Sequence, residues 1–238
     1  MPDRIMPDEE EPEPRMVRTR EAMLRLVVDT GVYLVTEDAV PAESRLRAVE
    51  QALAAGARVV QLRDKHTPRR RLLEEARAMR SLCRDWEAVF LITDDVALAW
   101  SVDADGVHVG QDDLPAEEVR RLLGDQKLIG LSVSAVEEAL EAERLGVDYI
   151  GVGAIFPTPT KVDAELGGLE LLRNVRNVVS KPLVAIGGID AGNARTVFEA
   201  GADAVAVVRG VFAQPDVGRA VRELLDIAAV SRKPGKGG

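Results

Sequence analysis

Val89-Phe90-Leu91-Ile92 is a short apolar run that gives way at once to Thr93-Asp94-Asp95, after which a new amphipathic stretch begins. This unit of strand, polar turn and amphipathic stretch returns along the chain. Short apolar runs rich in Val and Ile stand at 32–35, 59–62, 106–109, 128–131, 149–152, 183–186 and 204–208. Alternation of this kind marks a parallel sheet, whose neighbouring strands are joined by helical crossovers. With 89–92 the runs number eight, and they predict an α/β chain closed into a (β/α)8 TIM barrel. An open doubly wound sheet is the fold-level rival, but it usually carries a glycine-rich first turn. The turn after Val35, Thr36-Glu37-Asp38, has no glycine.

The segments between the runs support the same architecture. Leu72, Leu73, Ala76, Met79, Arg80 and Cys83 recur at three- and four-residue spacing, one apolar stripe on a charged segment. Gly56, Gly146 and Gly201 each follow such a stripe, where glycine is expected to supply the left-handed residue that ends a helix. Residues 1–16 are rich in Pro, Asp and Glu and read as a disordered acidic tail, followed by a short N-terminal helix over 18–29. A single barrel domain is expected over 17–230. Residues 231–238 form a second disordered tail of Lys, Pro and Gly.

Composition narrows the function classes. A length of 238 residues suits one large domain, and 46% hydrophobic with 30% charged residues is ordinary for a globular protein. A net charge of -9 repels a polyphosphate backbone and 3% aromatic content offers little base stacking, so nucleic acid is not an expected partner. Cys83 is the only cysteine, which excludes an internal disulfide or a cysteine-based zinc site and points to a reducing cytoplasm. No run of about 18 apolar residues exists, and the acidic start is unlike an export signal, so neither membrane nor secretion is expected.

The chemistry gathers where the apolar runs end. Arg63 and Lys65, Thr93 to Asp95, Gln111 to Asp113, Ser132 and Ser134, Thr158 to Lys161, Gly187-Gly188 and Arg209-Gly210 all come after a predicted strand. In a barrel these positions share the one face that carries active sites. Asp94 and Asp113, on neighbouring strands, would face each other across a small gap and suit Mg2+, which shares one or two carboxylates with substrate phosphates. Helix capping by Asp94-Asp95 and a turn at Asp112-Asp113 remain the alternative, with Asp95 and Asp112 the better candidates for it. Arg63 and Lys65 alternate with Asp64, so both cations can point into the rim while Asp64 points away, an arrangement suited to a diphosphate. Pro157 and Pro159 stiffen a loop that presents Thr158, Thr160 and Lys161. Gly187-Gly188 and Arg209-Gly210 stand where barrels form phosphate sites. His66 reads as an exposed loop residue. His108 reads as packing inside the barrel, with acid–base catalysis the alternative.

These motifs resemble, in order, those of the thiamine phosphate synthase family: 61–65 (Gln-Leu-Arg-Asp-Lys), 93–95 (Thr-Asp-Asp), 106–113 (Gly-Val-His-Val-Gly-Gln-Asp-Asp), 157–161 (Pro-Thr-Pro-Thr-Lys) and 185–189 (Ala-Ile-Gly-Gly-Ile). The likeness spans about 32–225. It implies a transferase that joins a pyrimidine diphosphate to a thiazole phosphate with release of diphosphate. By the same likeness Gln61, Leu62, Arg63, Asp64, Lys65, Thr93, Ser132 and Lys161 hold the pyrimidine substrate. Asp94 and Asp113 would hold Mg2+, and Thr158, Pro159, Thr160, Gly188, Val208 and Arg209 the thiazole phosphate. Arg63, Lys65, Ser132 and Lys161 are the expected catalytic residues. No protein nucleophile is required. Thr93 stands where the family usually has Asn, and Arg209 where Ser is more usual; a modest change in affinity is expected. A homo-oligomer is compatible with this reading. The alternatives are a thiazole tautomerase, for which Ser134 occupies the place expected of a catalytic His, and a non-catalytic binder of thiazole phosphate.

Overall fold

The computed structural model describes residues 18–159 and 166–231. Helix α1 (Arg20–Thr30) leads into an alternation of β1 (Val32–Val35), α2 (Ala42–Ala54), β2 (Val59–Leu62), α3 (Arg69–Asp85), β3 (Val89–Thr93), α4 (Val96–Ser101), β4 (Gly106–Val109) and α5 (Ala116–Leu123). It continues through β5 (Leu128–Val133), α6 (Val136–Arg144), β6 (Tyr149–Val152), α7 (Gly168–Val178), β7 (Leu183–Ile186), α8 (Ala194–Glu199) and β8 (Ala204–Val207). The short α9 (Arg209–Phe212) and α10 (Val217–Ser231) complete the chain order. Each strand pairs in parallel with the next, and β8 pairs with β1, so the sheet closes in chain order. Among the described residues, no helix is long and apolar enough to cross a membrane.

The eight predicted strands are present, with shifts at three ends. β3 takes in Thr93 and β5 runs on to Val133, because the ladder still offers partners there: Thr93 pairs with His108 and Ser132 with Gly151. β8 stops at Val207, where its pairing with β1 ends at Leu34, and Val208 becomes the cap of α9. Gly56 and Gly201 adopt the expected left-handed backbone, but Gly146 does not. There α6 ends through Leu145 in an extended conformation, so no left-handed residue is needed. The predicted tails lie outside the described residues, except Ser231, which closes α10.

Alternation along the strands separates two cores. Outward residues such as Leu34, Val60, Phe90 and Ile150 pack against the ring of helices. Inward residues such as Tyr33, Val59, Leu91, Leu128, Tyr149 and Val184 fill the barrel, and Met23 and Val27 of α1 pack with them. The N-terminal helix therefore closes the bottom of the barrel, and Arg20 pairs with Asp148, just before β6, at 3.3 Å. This leaves the opposite end as the open mouth.

Above that apolar plug the interior turns polar. Tyr33 Oη donates to Gln61 Oε1, and Gln61 Nε2 to Thr93 Oγ1 at 2.5 Å. Tyr149 Oη lies 2.8 Å from Tyr33 Oη and 3.1 Å from His108 Nδ1, while His108 Nε2 lies 2.8 Å from Ser132 Oγ. Glycine makes room for these rings: a Cβ at Gly130 would stand 2.3 Å from His108 Nδ1, and one at Gly151 2.8 Å from His108 Cε1.

A second polar group ties helices to the rim. Arg45 of α2 forms a two-pronged pair with Glu75 of α3 at 2.7 and 2.5 Å, and its Nη2 also lies 2.7 Å from Asp64. All three side chains are buried. Burial pulls the Arg45 guanidinium down, but Glu75 and Asp64 more than reverse it. Asp64 accepts from the backbone N–H groups of His66 and Thr67 and from the Thr67 hydroxyl, which fixes the turn that carries Lys65.

This packing has two measurable consequences. Glu75→Ala leaves a buried guanidinium short of a partner, and urea denaturation is expected to show a loss of about 3 kcal/mol. Burial also pulls the His108 imidazole down to about 4, although Asp113 acts in the opposite direction. Neutral His108 therefore contributes stability that is present above the unfolded value of about 6.5 and is lost as pH falls toward 4. Denaturation at neutral pH and near pH 4.5 should show a smaller acid-induced loss for His108→Asn than for the wild type, by roughly 2 kcal/mol.

Candidate active site at the barrel mouth

The loops after β2, β3 and β4 enclose a cavity of about 450 Å³ lined by Lys65, Thr93, Asp94 and Asp113, with Leu62, Ile92 and Leu72 as its apolar wall. Lys65 Nζ lies 3.1 Å from Asp94 Oδ2. Asp94 sits at the end of β3 with φ of 62°, a left-handed backbone that few non-glycine residues adopt. Its N–H donates to the carbonyl of His108 at 2.9 Å, which holds that turn against β4. Asp113 is fixed by the backbone N–H of Gly110 at 2.7 Å. Burial raises the Asp94 carboxyl; Lys65 opposes this, and Asp113, close enough to share a hydrogen bond with it, raises it further.

The capping alternative therefore belongs to a different residue. Asp95 is the N-cap of α4, accepting from Leu98 N at 3.0 Å, and it also pairs with Arg69. Asp112 is exposed. Asp94 and Asp113 are left as two facing carboxylates beside one ammonium. Among the described residues no group of three or more His, Cys, Asp or Glu gathers as a closed metal cage. An open pair still fits an ion that fills its shell with water and phosphate oxygens, as Mg2+ does.

Around the mouth, acids and cations alternate from loop to loop. Arg63 and Lys65 share the rim, but their ends turn to opposite neighbours. Arg63 Nη1 lies 3.3 Å from Asp38 Oδ2 in the loop after β1, and Lys65 reaches Asp94 after β3. Arg209, after β8, lies 3.1 Å from Glu37 Oε1, again in the β1 loop. Glu37 and Asp38 were not singled out in the sequence as site residues, although their position just past a strand end was a signal for them. Asp64, expected to point away from the rim, lines the same cavity as Lys65, with its carboxylate held by Arg45 and Thr67. His66 is exposed, with its ring 83% accessible and 3.7 Å from Asp38.

The remaining described residues fall on the same end of the barrel. Gln61 is buried within the interior chain, and its two ends, Thr93 and Ser132, are partly exposed at the mouth. The loop after β6 is tied to β7 by Ile155 N to Ile186 O at 2.9 Å and Phe156 N to Gly187 O at 3.0 Å. That contact requires glycine at 188, where φ is 60° and a Cβ would stand 2.6 Å from the Pro157 carbonyl oxygen. Thr158 and Pro159 lie on this loop; Thr160 and Lys161 lie outside the described residues. Val208 caps α9 and presents Arg209 beside it. Ser134 bonds to Glu138 through its N–H and hydroxyl at the start of α6.

Comparison with known proteins agrees with this geometry. A family model described as thiamine monophosphate synthase matches residues 32–211, from the first strand through the last. The thiamine-phosphate synthase of Chloroflexus aurantiacus is 47% identical over 209 residues, covering 87% of this chain and 96% of the relative. That of Methanosarcina barkeri is 42% identical over 209 residues, covering 87% and 94%. Among solved structures, a thiamine phosphate pyrophosphorylase from Pyrococcus furiosus superposes with a TM-score of 0.79 at 39% identity, covering 86% of this chain and 98% of that one. With the match running through all eight strands and these relatives covered almost end to end, this chain belongs to the thiamine monophosphate synthase family.

Proposed function

We propose that the protein is a Mg2+-dependent thiamine phosphate synthase. It joins 4-amino-2-methyl-5-(diphosphooxymethyl)pyrimidine to 4-methyl-5-(2-phosphooxyethyl)thiazole, giving thiamine phosphate and diphosphate. The observation that carries this reading is the pair Asp94 and Asp113 beside Lys65 in one cavity at the open end of the barrel. A tautomerase or a passive binder of thiazole phosphate has no use for that set.

In the reaction, the bond between the pyrimidine methylene and its diphosphate oxygen breaks, and both electrons leave with the diphosphate. The thiazole nitrogen then forms the new C–N bond with its lone pair. No protein nucleophile takes part, so the protein's work is charge stabilisation and alignment. Lys65 and Arg63 both follow β2 on the rim and supply cations for the departing diphosphate, with Lys161 expected to join them. Bidentate hydrogen bonding from Arg63 requires it to leave Asp38, and diphosphate is the stronger partner. Gln61, Thr93 and Ser132 orient the pyrimidine ring. Backbone N–H groups near Gly187-Gly188, together with Arg209, meet the thiazole phosphate. Asp94 and Asp113 would hold the Mg2+, whose charge when bound offsets that of the diphosphate.

The direct test supplies both phosphorylated heterocycles to the purified protein, with and without Mg2+, and follows thiamine phosphate and diphosphate together. Equimolar products that depend on Mg2+ are expected. No product overturns the reaction, and full turnover in metal-free buffer overturns the metal assignment.

Asp94→Asn separates stability from activity. Because the Asp94 carboxyl is raised, its ionised form opposes folding once pH exceeds the ordinary carboxylate range, and that opposition persists at neutral pH. Asn removes the repulsion with Asp113 and tolerates the left-handed backbone. Without Mg2+ the variant should melt roughly 2–4 °C above the wild type, from a gain of about 1 kcal/mol. Its turnover should fall by about 100-fold or more. A lower melting temperature would contradict the electrostatic account.

A further inference from the structure

Strands β1 to β6 each contribute one residue to the interior chain of hydrogen bonds, and with the Gln61 amide turned so that Nε2 meets Thr93 and Oε1 meets Tyr33, donor counting gives its direction. Tyr33 has a single hydroxyl proton and donates it to Gln61 Oε1. Its oxygen must then accept from Tyr149, 2.8 Å away. Tyr149 in turn has no second proton, so its oxygen accepts from His108 Nδ1. A neutral imidazole carries one N–H, which leaves His108 Nε2 as an acceptor for the Ser132 hydroxyl. At the far end Gln61 Nε2 donates to Thr93 Oγ1, so the Thr93 proton is left to point outward.

The two ends therefore differ in character. Thr93 meets the mouth as a donor, and Ser132 meets it with lone pairs only. An aminopyrimidine has the complementary pattern, with ring nitrogens that accept and an exocyclic amino group that donates. The oxo counterpart would turn a carbonyl oxygen toward the lone pairs of Ser132. A site built around such hydrogen bonds rejects a mismatched ring strongly, because its own polar groups are left unpaired.

We propose that Tyr33, Tyr149 and His108 are positioning residues that set the hydrogen-bond polarity of the barrel mouth between Thr93 and Ser132, so that it selects an amino-substituted pyrimidine over its oxo counterpart. This selectivity rests on the synthase reading above. The polarity itself does not, since it derives from the unliganded protein. His108 acts through Ser132, and the tautomer of its ring is set by the bond its other nitrogen makes. Removing the Tyr149 hydroxyl frees Nδ1, permits the Nε2-protonated tautomer, and turns Ser132 into a donor.

Nitrogen-15 NMR of the imidazoles at neutral pH reads the tautomer directly, with exposed His66, the only other histidine, as reference. His108 protonated at Nδ1 is expected; protonation at Nε2 overturns the proposal. In Tyr149→Phe the proton should move to Nε2. The value of kcat/KM for the aminopyrimidine diphosphate should fall roughly 10- to 100-fold, and the preference over its 4-oxo analogue by about tenfold or more. A Tyr149 that merely fills space would lower both rates alike and leave the ratio and the tautomer unchanged, which also overturns the proposal. Should the wild type make no thiamine phosphate while His108 carries its proton on Nδ1, the synthase reading falls and the polarity stands. Turnover with an Nε2-protonated His108 has the reverse meaning.

Discussion

Pairing of β8 with β1 is the constraint on which everything else depends. Closure removes both sheet edges and brings the carboxyl ends of all eight strands around one opening. Without it, Arg209 and Glu37, 172 residues apart in sequence, would not meet. Nor would Tyr33 and Tyr149 face each other inside the barrel. Helix α1 packs apolar side chains into the other end, so among the described residues the polar interior faces the mouth.

Closure also concentrates charge that the fold must then manage. Carboxylates and cations alternate around the rim, from Arg209 and Glu37 through Asp38 and Arg63 to Lys65 and Asp94. Most of these pairs are partly exposed, where ion pairs contribute little to stability. They hold Arg63, Lys65 and Arg209 at the mouth. Asp94 is the exception, a raised carboxyl on a left-handed backbone facing a second carboxylate. Such a residue opposes folding slightly. Below the rim, the buried Arg45, Glu75 and Asp64 group holds the Lys65 turn from behind.

The strands and the rim residues were legible in the sequence because both obey local rules. A run such as Leu183 to Ile186 is apolar throughout, and the chain abandons that pattern at the glycine pair just past it. Interior polarity was harder to read. His108 looked like packing material, and only the partners brought to it by β5 and β6 reveal a wired ring. Glu75 sits on the apolar stripe of α3, a position that local pattern assigns to a hydrophobic residue; its buried partner comes from α2. Gly146 resembles Gly56 and Gly201 in local sequence, yet the chain leaves its helix by another path.

The sequence alone determined the barrel, the end that carries the chemistry and most of the residues gathered there, since strand period and strand ends are properties of neighbouring residues. Tertiary structure decided which carboxylate caps a helix and which faces a partner, where Arg63 and Arg209 point, and which way the interior hydrogen bonds run. Those depend on distances between strands that are adjacent only after the sheet closes, and no local pattern encodes them.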